Sequence, residues 1–408
     1  MESSTNAKTL NRGWIVTLSG TGINLALGIL YAWSVFKGAI PESWGWTNAQ
    51  KAFPYAVACF VFSLAMVPAG RLQDKIGPRW VATMGGIFVG AGFIIASLSG
   101  SSLAGFVIGF GILGGMGIGF GYASATPPAV KWFPPEKTGL ITGIVVSGFG
   151  LASCYIAPLA SKLLDVFSVS QAMMIFGIAF LVIVAILSQF LVNPPVKMES
   201  STKVQAKASN YEFSWKEMLS KKHFYVLWIT YFIGAGAGLT FISFAQDLGK
   251  KSLGELAFMV VAILAIGNAA GRIMAGFISD RAGREKTIFY FLIAQAITVF
   301  ILYLVKEGAN WLLILVIVLL IGGNYGSNLS LFPSATKDYF GLKNFGLNYG
   351  IMFTAWGASG LFLPWLNGKI RDLTGTNDLM FPVIIGLLLF GALLIKVYNP
   401  KREGRKTY

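Results

Sequence analysis

The chain has 408 residues, of which 55% are hydrophobic and only 12% charged, about half the roughly 25% charged share of a soluble domain. With a mean hydropathy of +0.67, this excludes a soluble globular enzyme and a disordered chain, and implies a bundle of membrane-crossing helices. The formal net charge of +15 would suit a nucleic-acid partner, but its placement along the chain excludes one.

A run of about 20 apolar residues, rising 1.5 Å each, spans roughly 30 Å of hydrocarbon. Such runs predict twelve helices near 14–36, 49–69, 80–100, 103–130, 140–160, 170–193, 223–246, 256–279, 287–305, 310–333, 347–366 and 379–398. With the N-terminus inside, 23 of the 32 Lys and Arg fall on the cytoplasmic connections and termini, eight fall outside, and Arg272 lies within a span. That bias is the positive-inside rule, so both termini are expected in the cytoplasm of a multi-pass cell-membrane protein. The expected fold is all-α: twelve transmembrane helices in two six-helix bundles. The leader before the first span lacks a small-residue cleavage site and is expected to be retained. Cys59 and Cys154 fall inside predicted helices, without disulfide or metal spacing; no metal and no cofactor is expected. His223, the one histidine, is read as a wet interfacial residue, with a proton relay as the other reading.

The motifs repeat. Gly70-RLQDKIGPR follows the second span and Gly276-FISDRAGRE the eighth; Gly70/Gly276, Asp74/Asp280, Lys75/Arg281 and Gly77/Gly283 match at a spacing of 206. Trp132-FPPEKTGLITG before span five and Tyr339-FGLKNFGLNYG before span eleven match at 207, through Phe133/Phe340, Gly139/Gly346 and Gly143/Gly350. Two motifs at one spacing, half the chain length, predict parallel repeats of six helices. The expected domains are 1–193, a cytoplasmic linker 194–222 rich in Ser, Lys and Pro, and 223–408. The series Gly111-ILGGMGIGFG lies inside an apolar run with no preceding strand. It is read as helix packing rather than a dinucleotide fingerprint.

One cation stands inside a span. Arg272 lies in Leu256-AFMVVAILAIGNAAGRIMAGFIS, where a charge costs at least about 2.5–3.5 kcal/mol and implies a partner or a functional reason. No acidic residue lies near the middle of any predicted span, so the expected partner is a mobile anion. A planar guanidinium suits a carboxylate, because its fork of donors matches two oxygens and stays charged when desolvated. The competing reading is an arginine that snorkels to the cytoplasmic headgroups about two turns away. The other polar candidates are Tyr31, Asn24, Tyr122, Asn268, Asn324, Tyr325, Asn328, Tyr349 and Ser359, all in apolar runs. Helix–helix hydrogen bonding competes with ligand binding at each of them. Asp247 and Glu255 flank an outer loop and are the nearest carboxylates for proton uptake, with solvated loop charges as the plainer reading.

The loops Gly70–Arg79 and Gly276–Glu285 resemble the signature of the major facilitator superfamily. That resemblance implies a cytoplasmic latch built from Asp74, Lys75, Arg79, Asp280, Arg281 and Arg284, with a solvated turn that follows the positive-inside bias as the other reading. Asn11-Arg-Gly-Trp14 and Trp132-FPPEKTGLITGIVVSGFG resemble one branch of it, the monocarboxylate transporters and the oxalate/formate antiporters, over nearly the whole chain. The resemblance implies that Arg272 holds the substrate carboxylate, and that Tyr31 and Tyr122 stand where the oxalate carrier has pocket tyrosines. Where that carrier has a second cation, a lysine, this chain has Trp356, and Phe149 replaces a tyrosine. One cation in an apolar chamber implies one carboxylate with a short apolar tail, such as L-lactate or pyruvate. Lys37, at the outer end of span one, matches an anion-attracting lysine of the animal monocarboxylate carriers, with a plain interfacial lysine as the equal reading, whereas Asn268 stands where they have a proton-partnering Asp. The expected activity is proton symport of monocarboxylates by alternating access, by a functional monomer in the bilayer. The alternatives are anion exchange of the oxalate/formate type and a non-transporting membrane sensor. Export of lipophilic cations would call for an embedded carboxylate, and an enzyme for a metal cluster or nucleophile–base pair; the spans offer neither.

Overall fold

A computed structural model describes residues 2–133, 138–194, 212–305, 310–341 and 345–398. Every regular element among them is helical. In chain order these are α1 (Glu2–Leu27), a 3₁₀ turn (Gly28–Ala32), α2 (Trp33–Ala39), α3 (Asn48–Ile76), α4 (Pro78–Leu98) and α5 (Leu103–Phe106). A π-helical stretch (Val107–Gly114) leads into α6 (Gly115–Lys131), followed by α7 (Thr138–Val166) and α8 (Val169–Ser188). After the central segment come α9 (Trp215–Leu219), α10 (Lys222–Ser243), α11 (Ala245–Leu253), α12 (Phe258–Ala282), α13 (Arg284–Val305), α14 (Trp311–Phe340), α15 (Phe345–Thr374) and α16 (Met380–Val397).

Eleven of the described helical stretches are long and apolar enough to cross a bilayer. The twelfth expected span, 347–366, folds as the 30-residue α15; its glycines, tryptophans and asparagines keep it outside that group of eleven. Span one is not one straight helix, because the 3₁₀ turn at Gly28–Ala32 interrupts it. A Cβ at Gly28 would lie 2.6 Å from the Phe149 carbonyl oxygen, so α7 presses on the chain where the helix changes pitch.

The chain forms two units, Met1–Trp44 with Val57–Lys207, and Gly45–Ala56 with Ala208–Tyr408. The first turns of α3 thus belong to the second unit. The repeat in the sequence returns as a repeat in packing. In the first unit α1 packs on α7 and α4 on α8; in the second, α10 packs on α15 and α13 on α16. The matched loop glycines take matching conformations as well: Gly77 has φ +88° and Gly283 φ +91°, a left-handed region that side chains resist. Each ends its helix by donating its N–H to a carbonyl one turn back, Gly77 to Gln73 at 2.9 Å and Gly283 to Ser279 at 3.0 Å.

Small residues set the helix spacing. In α6, Gly117 and Gly121 face Gly85 of α4, while Gly115 and Gly119 face Ala58 and Phe62 of α3. One glycine-rich helix therefore brings two neighbours to backbone contact, the packing use expected of small residues in a membrane helix.

Candidate functional site

The second unit places Arg272 on α12, the helix in closest contact with α14. Gly267 and Gly271 of α12 meet the backbones of Leu319 and Gly323, and Gly322 and Gly326 of α14 meet those of Leu264 and Asn268. A Cβ at any of the four would lie closer to a carbonyl oxygen than van der Waals radii allow. The two backbones therefore lock together along one turn-by-turn seam, and the side chains beside it inherit that rigidity.

Arg272 is only 7% exposed and Asn268, one turn earlier, is fully buried. The Arg272 Nε donates to Asn268 Oδ1 at 3.1 Å. This burial counts against the snorkelling reading, which would put the guanidinium in the headgroup region. Among the described residues the Asn268 Nδ2 finds no acceptor, so a buried amide donor lies beside a buried cation. A donor left over beside a guanidinium is a setting whose chemistry suits an anion.

Around the seam, α14 and α15 are joined by Trp356, whose Nε1 donates to the Tyr325 hydroxyl at 2.9 Å. The Trp356 ring stacks on Phe353 with centroids 5.0 Å apart, and both Trp356 and Tyr325 are buried. Asn328 and Ser359 are buried too, but their donors are spent locally. The Asn328 amide donates to the Asn324 and Tyr325 carbonyls, and the Ser359 hydroxyl donates to the Trp356 carbonyl at 2.8 Å. The Tyr349 ring lies tilted beside Phe353, with centroids 5.7 Å apart.

The first unit holds the other expected pocket residues as a separate aromatic cluster. Phe149 lies at its centre, 5.1 Å from Tyr31, 5.3 Å from Tyr122 and 5.8 Å from Phe62 between ring centroids. Asn24 donates to the Val145 carbonyl at 2.8 Å, joining α1 to α7.

Three charged or titratable residues sit differently from expectation. Lys37 is buried rather than at an outer interface. Asp247 is no solvated loop charge: Arg371 Nη1 reaches its Oδ2 at 2.5 Å, and Lys250 lies 3.5 Å from its other oxygen. Glu255, by contrast, is exposed. His223 is 6% exposed, boxed by the rings of Tyr339 at 4.1 Å, Tyr398 at 5.4 Å and Phe340 at 6.0 Å. The wet histidine expected from the sequence is a packed one, because the last two residues of α14 and the first after α16, all aromatic, close over the start of α10.

The predicted latch residues divide. Arg284 donates to Asp280 at 2.7 Å, to Asp338 at 2.8 Å and to Ser279 at 2.5 Å, tying the α12–α13 corner to α14. Beside it Tyr339 donates to Glu285 at 2.7 Å. Arg281 instead stacks on Phe277, 3.9 Å from the ring centroid. In the matching first-unit loop Lys75 is exposed and Arg79 lies 5.5 Å from the Trp80 ring; the side chain of Asp74 lies outside the described residues. Asp338, Glu285 and Asp372 escaped the sequence reading because each acts across helices far apart in the chain. The signal available for Asp338 was its i+54 offset from Arg284, invisible without a helix-packing frame.

The comparisons agree with this architecture. The chain is 27% identical over 400 residues to the oxalate:formate antiporter of Oxalobacter formigenes, covering 97% of this chain and 93% of that one. It is 24% identical over 396 residues to human monocarboxylate transporter 11, covering 94% and 82%. In fold it matches the xylose transporter XylE from E. coli with a TM-score of 0.73 at 11% identity, over 95% of this chain and 99% of that one. Residues 18–364 match the family model of the Major Facilitator Superfamily. This chain, with two repeated helical units and a buried arginine in the second, belongs to the Major Facilitator Superfamily and is a multi-pass membrane transporter.

Proposed function

We propose that the protein carries small monocarboxylates such as L-lactate or pyruvate across the cell membrane, with both termini cytoplasmic, in symport with a proton and as a monomer. The observation that carries the reading is Arg272, buried on the most tightly packed helix pair and held by Asn268 through Nε. With Nε committed, the carboxylate meets the outer Nη edge of the guanidinium, and the Asn268 Nδ2 is the neighbouring donor. Trp356, hydrogen-bonded to Tyr325, supplies an indole wall where a dicarboxylate carrier would need a second cation. The names of the two relatives, one acting on oxalate and formate and one on monocarboxylates, support the carboxylate class. Alternating exposure of the Arg272 site to the two sides then moves the anion, and the Arg284–Asp280–Asp338 network is a cytoplasmic latch in that cycle.

Anion exchange is the second reading, and one observation favours it: the residue that positions Arg272 is an amide, which takes up no proton in the physiological range. Labelled L-lactate uptake into proteoliposomes at clamped voltage separates the two. Accumulation driven by an inward proton gradient is the symport result; exchange against preloaded formate or acetate without such accumulation is the antiport result. Arg272→Gln removes the charged hydrogen bonds to the anion, about 1.5–3 kcal/mol each, and weakens apparent affinity about 10–150-fold. Unchanged lactate rate and affinity in Arg272→Gln would overturn the proposal.

A further inference from the structure

The first unit carries a groove where two of its spans reach the membrane surface. The membrane-crossing stretch of α1 begins at Asn11, and that of α8 ends at Ser188. Between these ends lies a groove of about 360 Å³ lined by Asn11, Arg12, Ile15, Gln189, Phe190 and Val192. Further into the span, Gly22 of α1 meets the Leu187 side chain of α8, so the two helices are in contact on the groove's membrane side. The walls are held in place. The Val192 carbonyl accepts the Trp132 indole N–H at 2.8 Å, and the Gln189 amide donates to the Ala185 carbonyl at 2.8 Å and the Ser188 hydroxyl at 3.2 Å.

Arg12 is the one ionisable residue of the lining. It is exposed, and among the described residues it has no ion-pair partner. A guanidinium offers a fork of donors that matches the oxygens of a phosphate. Toward the bilayer centre the surface turns apolar in two strips. Arg12, Ile15 and Leu18 follow one another at three-residue spacing on α1, while Ile183, Ile186 and Phe190 share a face of α8. All five apolar residues are exposed. A molecule with an anionic head and a hydrocarbon tail therefore meets complementary surface along its whole length, whereas a free phosphate uses only the mouth. By the positive-inside count these ends of α1 and α8 lie on the cytoplasmic side, whose leaflet is the anionic one.

We propose that this groove binds an anionic phospholipid, with the phosphate on Arg12 and Asn11 and an acyl chain along Ile15 and Leu18 of α1 and Ile186 and Phe190 of α8. Every residue of the site belongs to the first unit. The inference rests on the chain being a multi-pass membrane protein, not on which cargo it moves.

Native mass spectrometry of the delipidated full-length protein in detergent, titrated with dioleoylphosphatidylglycerol or dioleoylphosphatidylcholine, tests it. The expected result is a tightest site that prefers phosphatidylglycerol. Arg12→Gln weakens that affinity about 5–30-fold, toward the phosphatidylcholine value. Lys222→Gln, which removes an exposed cation from the start of α10, leaves it unchanged. Ile15→Trp fills the groove without altering the charge and also weakens phosphatidylglycerol binding. The parent's affinity in Arg12→Gln overturns the proposal. An equal loss in Lys222→Gln does so too, since the attraction is then a property of the overall charge. Millimolar inorganic phosphate separates the two sources of the anion, and the lipid is expected to stay bound against it. Displacement of the lipid by phosphate, with Ile15→Trp binding as the parent does, makes the groove a free-phosphate site and overturns the lipid assignment.

Discussion

Asn268→Asp converts the neutral tether of Arg272 into a charged one, and its effect follows from a single distance. The Asn268 Oδ1 lies 3.1 Å from the Arg272 Nε, and a carboxylate oxygen in its place sits at ion-pair range. At an effective dielectric of about 20, a pair of unit charges near 4 Å attracts by roughly 4 kcal/mol. Part of that is lost in desolvating the new carboxylate, leaving a competitor of about 1.5–3 kcal/mol for the incoming anion. Apparent affinity at neutral pH is therefore expected to fall about 10–150-fold. Initial-rate uptake of labelled lactate at neutral pH over a range of concentrations, with voltage clamped, reads the effect. Asn268→Asp with the parent's affinity would show that Arg272 does not meet the substrate, and the site assignment falls with it.

Gly271→Ala places a methyl against the Gly323 carbonyl, where no side chain moves aside; overpacking of this kind costs about 1–3 kcal/mol. The expected outcome is a lowered thermal midpoint and impaired transport together, and a variant with the parent's midpoint and rate would contradict the rigid seam. Acid stability at the α3 cap, where Asp372 accepts the Asn48 and Ala49 N–H groups, has a defined sign. Burial raises the Asp372 carboxyl, but the Ala49 and Asn48 N–H groups outweigh it and hold it below its ordinary 3.8. A lowered folded-state pKa contributes stability above the unfolded value and loses it as pH falls through the folded one. Acidification from about pH 7 to 5 therefore leaves amide protection at 48–49 intact, and loss of protection within that window, after correction for intrinsic exchange, would refute the assignment.

The bundle was legible because a bilayer imposes length and apolarity on each helix, and the repeat because two glycine-centred loops kept one spacing. Gly77 and Gly283 show why such a motif is readable: the backbone conformation they share restricts the residue directly. Arg272 was legible for the opposite reason, as a charge where the surrounding medium forbids one. Asp247 was not, since a carboxylate near a predicted loop looks the same whether solvated or held by Arg371. His223 misled for the same cause: its surroundings come from Tyr339, Phe340 and Tyr398, which are remote in sequence. Ser359 and Asn328 looked like ligands because lone polar residues in apolar helices have two uses. The hydrogen bonds to their own helix carbonyls separate those uses only in three dimensions.

The placement of Arg272 also explains why the seam beside it is built of glycine. A cation in a low-dielectric span is tolerable only if its geometry admits the compensating charge and excludes other arrangements. An arginine on a loosely packed helix would relax toward the headgroups, since its long side chain gains hydration by doing so. Backbone contact at Gly267, Gly271, Gly322 and Gly326 denies α12 the freedom to shift or rotate against α14. The Asn268 tether then denies the guanidinium its free torsion. Together the two restraints hold the guanidinium in one place and one orientation, which is what the proposed carboxylate site needs if the anion is to bind in the same pose at every turnover.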